Sequence, residues 1–294
     1  MRVSTNFQFE SYANKVSDAK SRYFEAQQRV TTGKKYATVS EDPIAALGSL
    51  SAKSLRSRLE QLTKNLIVAQ EFAGTTEGVL DEAGQLAQRA YVLAIQGASD
   101  STTQPSRDAM ATEIASIQKR LVDLGNTQAS GGRYIFAGQS SDTKPFSEAS
   151  GVLTFNADDL PVQVEIRPSE TMRANLSNAS TYFGNVYAAL ESLKTNLASG
   201  NTQLISEGDI ANLQASIDAT NIARGQSGVK FQEIQRLRAE GERRVDELTI
   251  AISDNEDIDL ADAITQMQQA ETAYTAALQV AGQGFRLSLM DFLR

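Results

Sequence analysis

The chain has 294 residues, a net charge of −8 at pH 7 and no Cys, His or Trp. This composition excludes disulfides, thiol nucleophiles, Cys or His metal sites and the Ser-His-Asp triad, which are most of the usual routes to an enzyme. The acidic balance argues against a nucleic-acid or anionic-membrane surface, and no segment is apolar over the roughly 20 residues that a membrane span needs.

The first 32 residues predict one long helix. Apolar side chains recur at steps of three and four from Phe9 to Val30, and no Gly or Pro occurs before Gly33. The segment lacks the apolar core of a cleaved secretory signal. We therefore expect a chain that stays in the cytoplasm or is exported by a route without a cleaved signal.

A linker follows this helix, from residue 33 to residue 42. Gly33 is a natural helix stop, and Ser40 or Asp42 before Pro43 is typical of an N-cap with Pro in the first turn. From Pro43 the apolar and small positions alternate at steps of three and four to about residue 96. This pattern predicts a helix of about 80 Å, although its three glycines, at 74, 78 and 84, also allow a kink or a break.

The next segments predict a helix, a small β insertion and then helices again. Residues 110–124 carry one apolar stripe, which predicts a helix. Three of the five prolines fall between residues 140 and 170, and the short strands predicted there are 134–137, 152–155 and 162–167. Helical patterning resumes at Phe183 and continues to Ile252, with a break at Gly200.

The last stretch predicts a helix whose seam packs on another helix. After an acidic break, apolar residues recur from Leu260 to Phe292 at steps of three, four or seven, as in the first helix. The two ends also carry opposite net charge, +4 over residues 1–35 and −5 over residues 254–294, which favours their pairing. Two interpretations remain open: a closing helix hairpin in a monomer, or two seams buried in an assembly.

The acidic run 254–259 is the one stretch whose composition suggests a metal site. It lacks the glycine and the spaced Glu of an EF-hand loop, so a solvated helix start is the favoured interpretation. No nucleophile, base and oxyanion donors can be assembled by spacing, and we expect no catalytic residue, cofactor or metal.

Four motifs occur in order along the chain: Thr31-Thr32-Gly33-Lys34-Lys35, Ser40-Glu41-Asp42-Pro43-Ile44-Ala45-Ala46, Gly132-Arg133-Tyr134-Ile135-Phe136-Ala137-Gly138 and Ser288-Leu289-Met290-Asp291-Phe292-Leu293. They resemble motifs of the bacterial flagellin-like family, and especially of its hook-associated proteins of the FlgL type. The start, Met1 to Thr5, is also similar to that group. The departures are Glu41, where the family more often has Asp, and one additional residue, Arg294.

The resemblance implies a mainly α fold: an elongated rod of long antiparallel helices, with paired N- and C-terminal coiled-coil helices and a small β insertion domain. The expected domains are a terminal core, a long-helix rod and a β domain, with the boundaries 1–42 plus 254–294, 43–132 plus 182–253, and 133–181.

The resemblance also implies a structural function in the bacterial flagellum, at the junction between hook and filament. The implied partners are like subunits in a ring, the hook-side junction protein, flagellin and an export chaperone. The implied location is extracellular, after export through the flagellar type III apparatus. The implied assembly interface comprises Val3, Phe7, Tyr12, Val16, Tyr23, Val30, Leu260, Ile264, Met267, Tyr274, Leu278, Phe285, Leu289 and Phe292.

Two alternatives compete with the junction role. One is a filament-forming flagellin, which shares the terminal architecture. The other is an enzyme or a ligand-binding module carried in the β insertion, which is small and, like the whole chain, has no His or Cys.

Overall fold

The computed structural model describes residues 2–292, and within them every side chain except those of residues 2–6, 8, 9 and 284–292. The chain is mainly helical, as the sequence predicted. Its helices are α1 (Arg2–Thr32), α2 (Pro43–Ala98), α3 (Gln104–Gly125), α4 (Ala179–Ser199), α5 (Thr202–Leu204), α6 (Ile210–Glu256) and α7 (Leu260–Phe292). A π-helical turn, Ile205–Asp209, joins α5 to α6.

The contacts divide the chain into two compact units, which differ from the three domains expected from the sequence. One unit contains residues 1–58 and 244–294, and the other contains residues 59–243. The three-domain division, with the β segment as a domain of its own, stays a prediction.

The second long helix is continuous, and no break occurs at its glycines. Within residues 59–243, α2 runs antiparallel to α6, so that Thr63 lies near Gly241 and Gly84 lies near Thr220. A methyl group added at Gly84 would lie 3.2 Å from the Thr220 side chain. Glycine therefore allows a close approach of the two helices here, and this packing keeps α2 helical despite the low helix propensity of glycine.

The core of this unit lies between α3, α4 and the segment that follows α3. Helix α3 packs on α4, and Phe183 of α4 contacts two further aromatic rings. Its ring centroid lies 5.0 Å from that of Phe136 and 4.9 Å from that of Phe146. All three rings are fully buried, so each makes a large contribution to the apolar area removed from water.

The β insertion contains two separate antiparallel hairpins. They are β1 (Phe146–Ala149) with β2 (Val152–Phe155), and β3 (Gln163–Arg167) with β4 (Glu170–Arg173). The strands predicted at 152–155 and 162–167 are therefore confirmed. The strand predicted at 134–137 is wrong, because Tyr134 makes only an isolated bridge to Gln128 while residues 135–137 are buried in the core.

In the part of the chain that the structure describes, every helix is too short or too polar to cross a membrane.

Candidate assembly site on the terminal helices

The first and last helices pack against each other along a seam in the unit of residues 1–58 and 244–294. The rings of Tyr23 and Tyr274 stack across it, with centroids 6.1 Å apart and planes inclined by 7°. The half-buried apolar positions of α1 recur from Tyr12 at steps of three and four. They are Tyr12, Val16, Ala19, Tyr23, Ala26 and Val30.

The facing seam of α7 consists mostly of alanines. Its buried and half-buried positions also alternate at steps of four and three, as expected for a helix that packs on one partner. They are Ala263, Met267, Ala270, Tyr274, Ala277 and Ala281. Small side chains at this spacing let the two helix backbones approach closely.

The structure divides the interface residues implied by the sequence into three groups. The seam holds Tyr12, Val16, Tyr23, Val30, Met267 and Tyr274. The solvent-exposed group comprises Phe7, Leu260, Ile264 and Leu278, which are 73%, 55%, 41% and 44% exposed. The side chains of Val3, Phe285, Leu289 and Phe292 lie outside the described residues. The assembly role of all fourteen stays a prediction.

The exposed group matters because a single chain leaves these side chains in water. Leu260, Ile264 and Leu278 flank the α7 seam on one side: Ile264 and Leu278 each follow a seam alanine by one position, and Leu260 precedes Ala263 by three. Two more large apolar side chains, Phe24 and Val280, are about half exposed and were not predicted. We call Phe7, Phe24, Leu260, Ile264, Leu278 and Val280 the outward apolar set.

A second feature holds the connections of the terminal helices together. Gly33, with a φ of 67°, ends α1, and the next residues pair with the end of α6 in a short antiparallel bridge. The Lys35 backbone N–H donates to Glu256 O at 2.7 Å, and the Ile258 N–H donates to Gly33 O at 3.0 Å. These bonds tie the α1–α2 linker to the α6–α7 connection.

Side chains reinforce this bridge. Lys34 Nζ lies 3.1 Å from Glu256 Oε2 and 2.7 Å from Asp257 Oδ1. Lys53 of α2 pairs with the other oxygen of Glu256, a residue that is only 7% exposed. Lys35 Nζ donates to Asp254 O. We call Lys34, Lys35, Lys53, Glu256 and Asp257 the clasp.

The clasp corrects the interpretation of the acidic run 254–259 as a solvated helix start. Glu256 and Asp257 are partners of lysines, and only the end of the run caps a helix: Asp259 Oδ1 accepts from the Ala261 N–H at 2.9 Å. Among the described residues, no group of three or more potential metal ligands comes together.

The charge pairing expected between the two ends of the chain occurs at the clasp and not along the helix seam. No ion pair joins α1 to α7 among the side chains that the structure describes; the opposite charges meet in the clasp instead. The reason is that apolar residues occupy the seam, while Lys34 and Lys35 lie just after the end of α1 and Lys53 lies in α2.

The linker motif that precedes α2 has a structural explanation. Asp42 Oδ1 accepts from the Ala45 N–H at 2.9 Å, which confirms an N-cap ahead of Pro43. Glu41 accepts from the backbone N–H groups of Ala37 and Thr38 at 3.3 and 3.2 Å. The first of these bonds is the main cause of the lowered pKa of Glu41. The Glu41 side chain spans this turn.

The clasp also sets how these groups titrate. Hydrogen bonds from Lys53 and Lys34 lower the pKa of Glu256 below its usual 4.5, against the effect of burial. The Lys34 bond lowers the pKa of Asp257 below its usual 3.8, and the same contacts raise the pKa of Lys34 above 10.5. A depressed carboxylate pKa stabilises the fold above the usual pKa, and this stabilisation is lost as pH falls through the folded value.

Acid should therefore weaken the unit that contains the clasp. We expect the thermal unfolding midpoint, followed by circular dichroism, to fall between about pH 5 and about pH 3. In a Lys34→Met variant the fall should be smaller, because the carboxylates have lost one partner whose charge depressed their pKa. An equal fall in both proteins would show that the clasp does not contribute to the acid sensitivity.

Comparisons with known proteins agree with this architecture. Residues 3–141 match the family described as "Bacterial flagellin N-terminal helical region". The chain is 24% identical to flagellar hook-associated protein 3 of Escherichia coli (strain K12), over 94% of this chain and 95% of that protein. It is 30% identical to the B-type flagellin of Pseudomonas aeruginosa, but over only 40% of this chain and 24% of the flagellin.

A solved structure shares the fold. The flagellar junction protein FlgL from Legionella pneumophila aligns with a TM-score of 0.61 at 14% identity, covering 71% of this chain and 100% of that one. The likeness to a flagellin thus covers a shorter part of the chain than the likeness to the hook-associated protein. Residues 3–141 thus match the flagellin helical region, and the chain as a whole is similar to a flagellar hook-associated protein in sequence and to FlgL in fold.

Proposed function

We propose that the chain is a structural subunit of the bacterial flagellum that forms the junction between hook and filament by assembling through its terminal helices. The observation that carries the proposal is the outward apolar set. Six large apolar side chains on one pair of helices are 41% or more exposed in the single chain. Exposed apolar side chains along one helix pair provide apolar area that neighbouring subunits would cover on assembly.

The helix pair is suited to assembly because its own seam leaves these side chains free. The alanine-rich α7 seam contacts α1, while Leu260, Ile264 and Leu278 project beside that contact. A neighbouring subunit that covers them would remove about 25 cal/mol of unfavourable free energy for each Å² of apolar surface buried. The predicted interface residues inside the seam would then hold α1 and α7 together, and the exposed ones would contact other subunits.

The partners follow from the same role. Like subunits in a ring would cover the outward apolar set, with the hook-side junction protein on one side and flagellin on the other. Export would proceed through the flagellar type III apparatus with the help of a chaperone, which would place the assembled protein outside the cell. We also propose that residues 133–181 form a separate β domain that takes no part in the terminal contacts.

Electron microscopy of isolated hook ends tests the junction role. The purified full-length chain is mixed with hook ends that carry the hook-side junction protein, with and without flagellin. We expect short caps that do not elongate alone and that permit flagellin to grow a filament. Long filaments formed by this chain alone would instead support the alternative, a filament flagellin, and would leave the fold unaffected.

A further inference from the structure

The seam between α1 and α7 specifies its own axial register only weakly. On α7 a shift by seven residues places alanine where alanine was, since Ala263, Ala270 and Ala277 recur at that spacing. On α1 the same holds for Ala19 and Ala26. Helix pairs are held in one register by large or polar side chains that have no equivalent one heptad away. An alanine repeat provides little of this discrimination.

Besides the larger seam residues such as Tyr12 and Met267, two contacts distinguish the observed register. One is the stack of Tyr23 on Tyr274, whose centroids are 6.1 Å apart. The other is the clasp, in which Lys34 Nζ contacts Glu256 at 3.1 Å and Asp257 at 2.7 Å. A slip of seven residues moves one helix about 10 Å along the other. Because Lys34 follows α1 closely and Asp257 precedes α7 closely, such a slip would pull these contacts apart.

We propose that the clasp sets the axial register of α1 against α7, and with it the arrangement of the outward apolar set. The clasp lies at the closed end of the helix pair, where each helix enters its connection. It combines two backbone hydrogen bonds with three lysines and two carboxylates, so its geometry is specific in a way that the alanine seam is not. This register is a property of the single chain and does not depend on the junction role.

Pairs of engineered cysteines can measure the register, because the chain has no cysteine of its own. Tyr23→Cys is combined with Tyr274→Cys, which reports the observed register, or with Met267→Cys or Ala281→Cys, which report slips of seven residues. Each pair removes the Tyr23–Tyr274 stack, so the clasp becomes the main remaining determinant. A short bismaleimide crosslinks the dilute chain, and peptide mass spectrometry quantifies the intramolecular products.

We expect the 23–274 product to dominate when the clasp is intact. The ratio of the 23–274 product to the slipped products should fall about three- to tenfold in Lys34→Met. It should fall further in Glu256→Gln, because Lys34 and Lys53 then lose the charge that both contact. Lys15→Met, which removes the same charge from an exposed position of α1 outside the clasp, should leave the ratio unchanged.

The same experiment can overturn the proposal. An unchanged ratio in Lys34→Met, at the helical content of the parent chain, would show that the register does not depend on the clasp. Equal yields of all three products with the clasp intact would show that the single chain has no preferred register. Lys34 is partly exposed, so its variant should keep the fold even if Glu256→Gln does not.

Discussion

Aspartate in place of Ile264 or Leu278 should prevent the chain from joining hook ends while leaving the soluble chain nearly as stable as the wild type. Both side chains are more than 40% exposed in the single chain, and exposed substitutions usually change the free energy of unfolding by less than about 0.5 kcal/mol. In the assembly the same position would bury an unpaired charge, which costs several kcal/mol. Cosedimentation with hook ends measures the first effect, and thermal unfolding measures the second.

Two further variants of α7 serve as controls. Gln269→Asp adds the same charge at an exposed position on the other side of the seam from Ile264 and Leu278 and should leave assembly intact. Ala270→Asp places the charge in the seam against α1 and should lower the stability of the soluble chain as well. If Ile264→Asp destabilises the soluble chain as much as Ala270→Asp does, the terminal helices form a monomeric hairpin and the outward face is not an assembly surface.

Alanine in place of Gly138 should cause the largest loss of folding stability of any single change proposed for this chain. Gly138 has a φ of 61°, and a methyl group there would overlap the carboxylate and the backbone carbonyl of Asp158, with the carbonyl carbon only 2.9 Å away. The strain and the overlap act together, and we expect a loss of about 3 kcal/mol or more. Urea unfolding of the full chain measures it.

Asp158 lies this close to Gly138 because its carboxylate stabilises the turn that follows Gly138. Its carboxylate accepts from the backbone N–H groups of Gln139, Ser140 and Leu160 at 2.8, 3.0 and 3.0 Å. Moving Asp158 to make room for a methyl group would break these bonds.

A matched glycine separates the two causes. Gly131 also has a positive φ, 93°, but a methyl group there meets no other atom within 4 Å. Gly131→Ala should therefore show only the conformational cost, about 1 kcal/mol. Similar losses at Gly131 and Gly138 would mean that the contact with Asp158 is not what requires glycine at the end of the Gly132–Gly138 motif.

Features that depend on local sequence could be predicted well. Gly33 ends α1 and Asp42 caps α2, because turn and cap residues act on backbone groups within a few positions. The helical periodicity likewise placed the long helices correctly, since a continuous apolar stripe needs no knowledge of the rest of the fold.

The division of the α7 stripe between two faces could not be predicted in the same way. Leu260, Ile264 and Leu278 fit the helical period, so the sequence predicts that they lie in the seam. In the structure these three side chains are exposed, and alanines such as Ala270 occupy the seam instead. An apolar stripe more than 100° wide contains both sets, and periodicity alone does not tell which side of the stripe meets the partner. Only the position of α1 decides it.

The clasp could not be found from the sequence because its two halves are far apart in the chain. Opposite net charge predicted that the two ends pair, but Lys34 and Glu256 are separated by 222 positions, and the sequence alone does not show which lysine meets which carboxylate. The strand wrongly predicted at 134–137 has a different cause. A short apolar run has the same composition in a strand and in a buried turn, and here the side chains fill the core next to Phe183.

Hydrogen exchange of the full chain, free and bound to hook ends, tests most directly whether assembly proceeds through the terminal helices. Peptides from residues 2–32 and 260–292 should become strongly protected on binding, because neighbouring subunits cover the outward apolar set. Peptides from residues 133–181 should exchange as they do in the free chain. Protection confined to residues 133–181, with the terminal helices unchanged, would contradict the account.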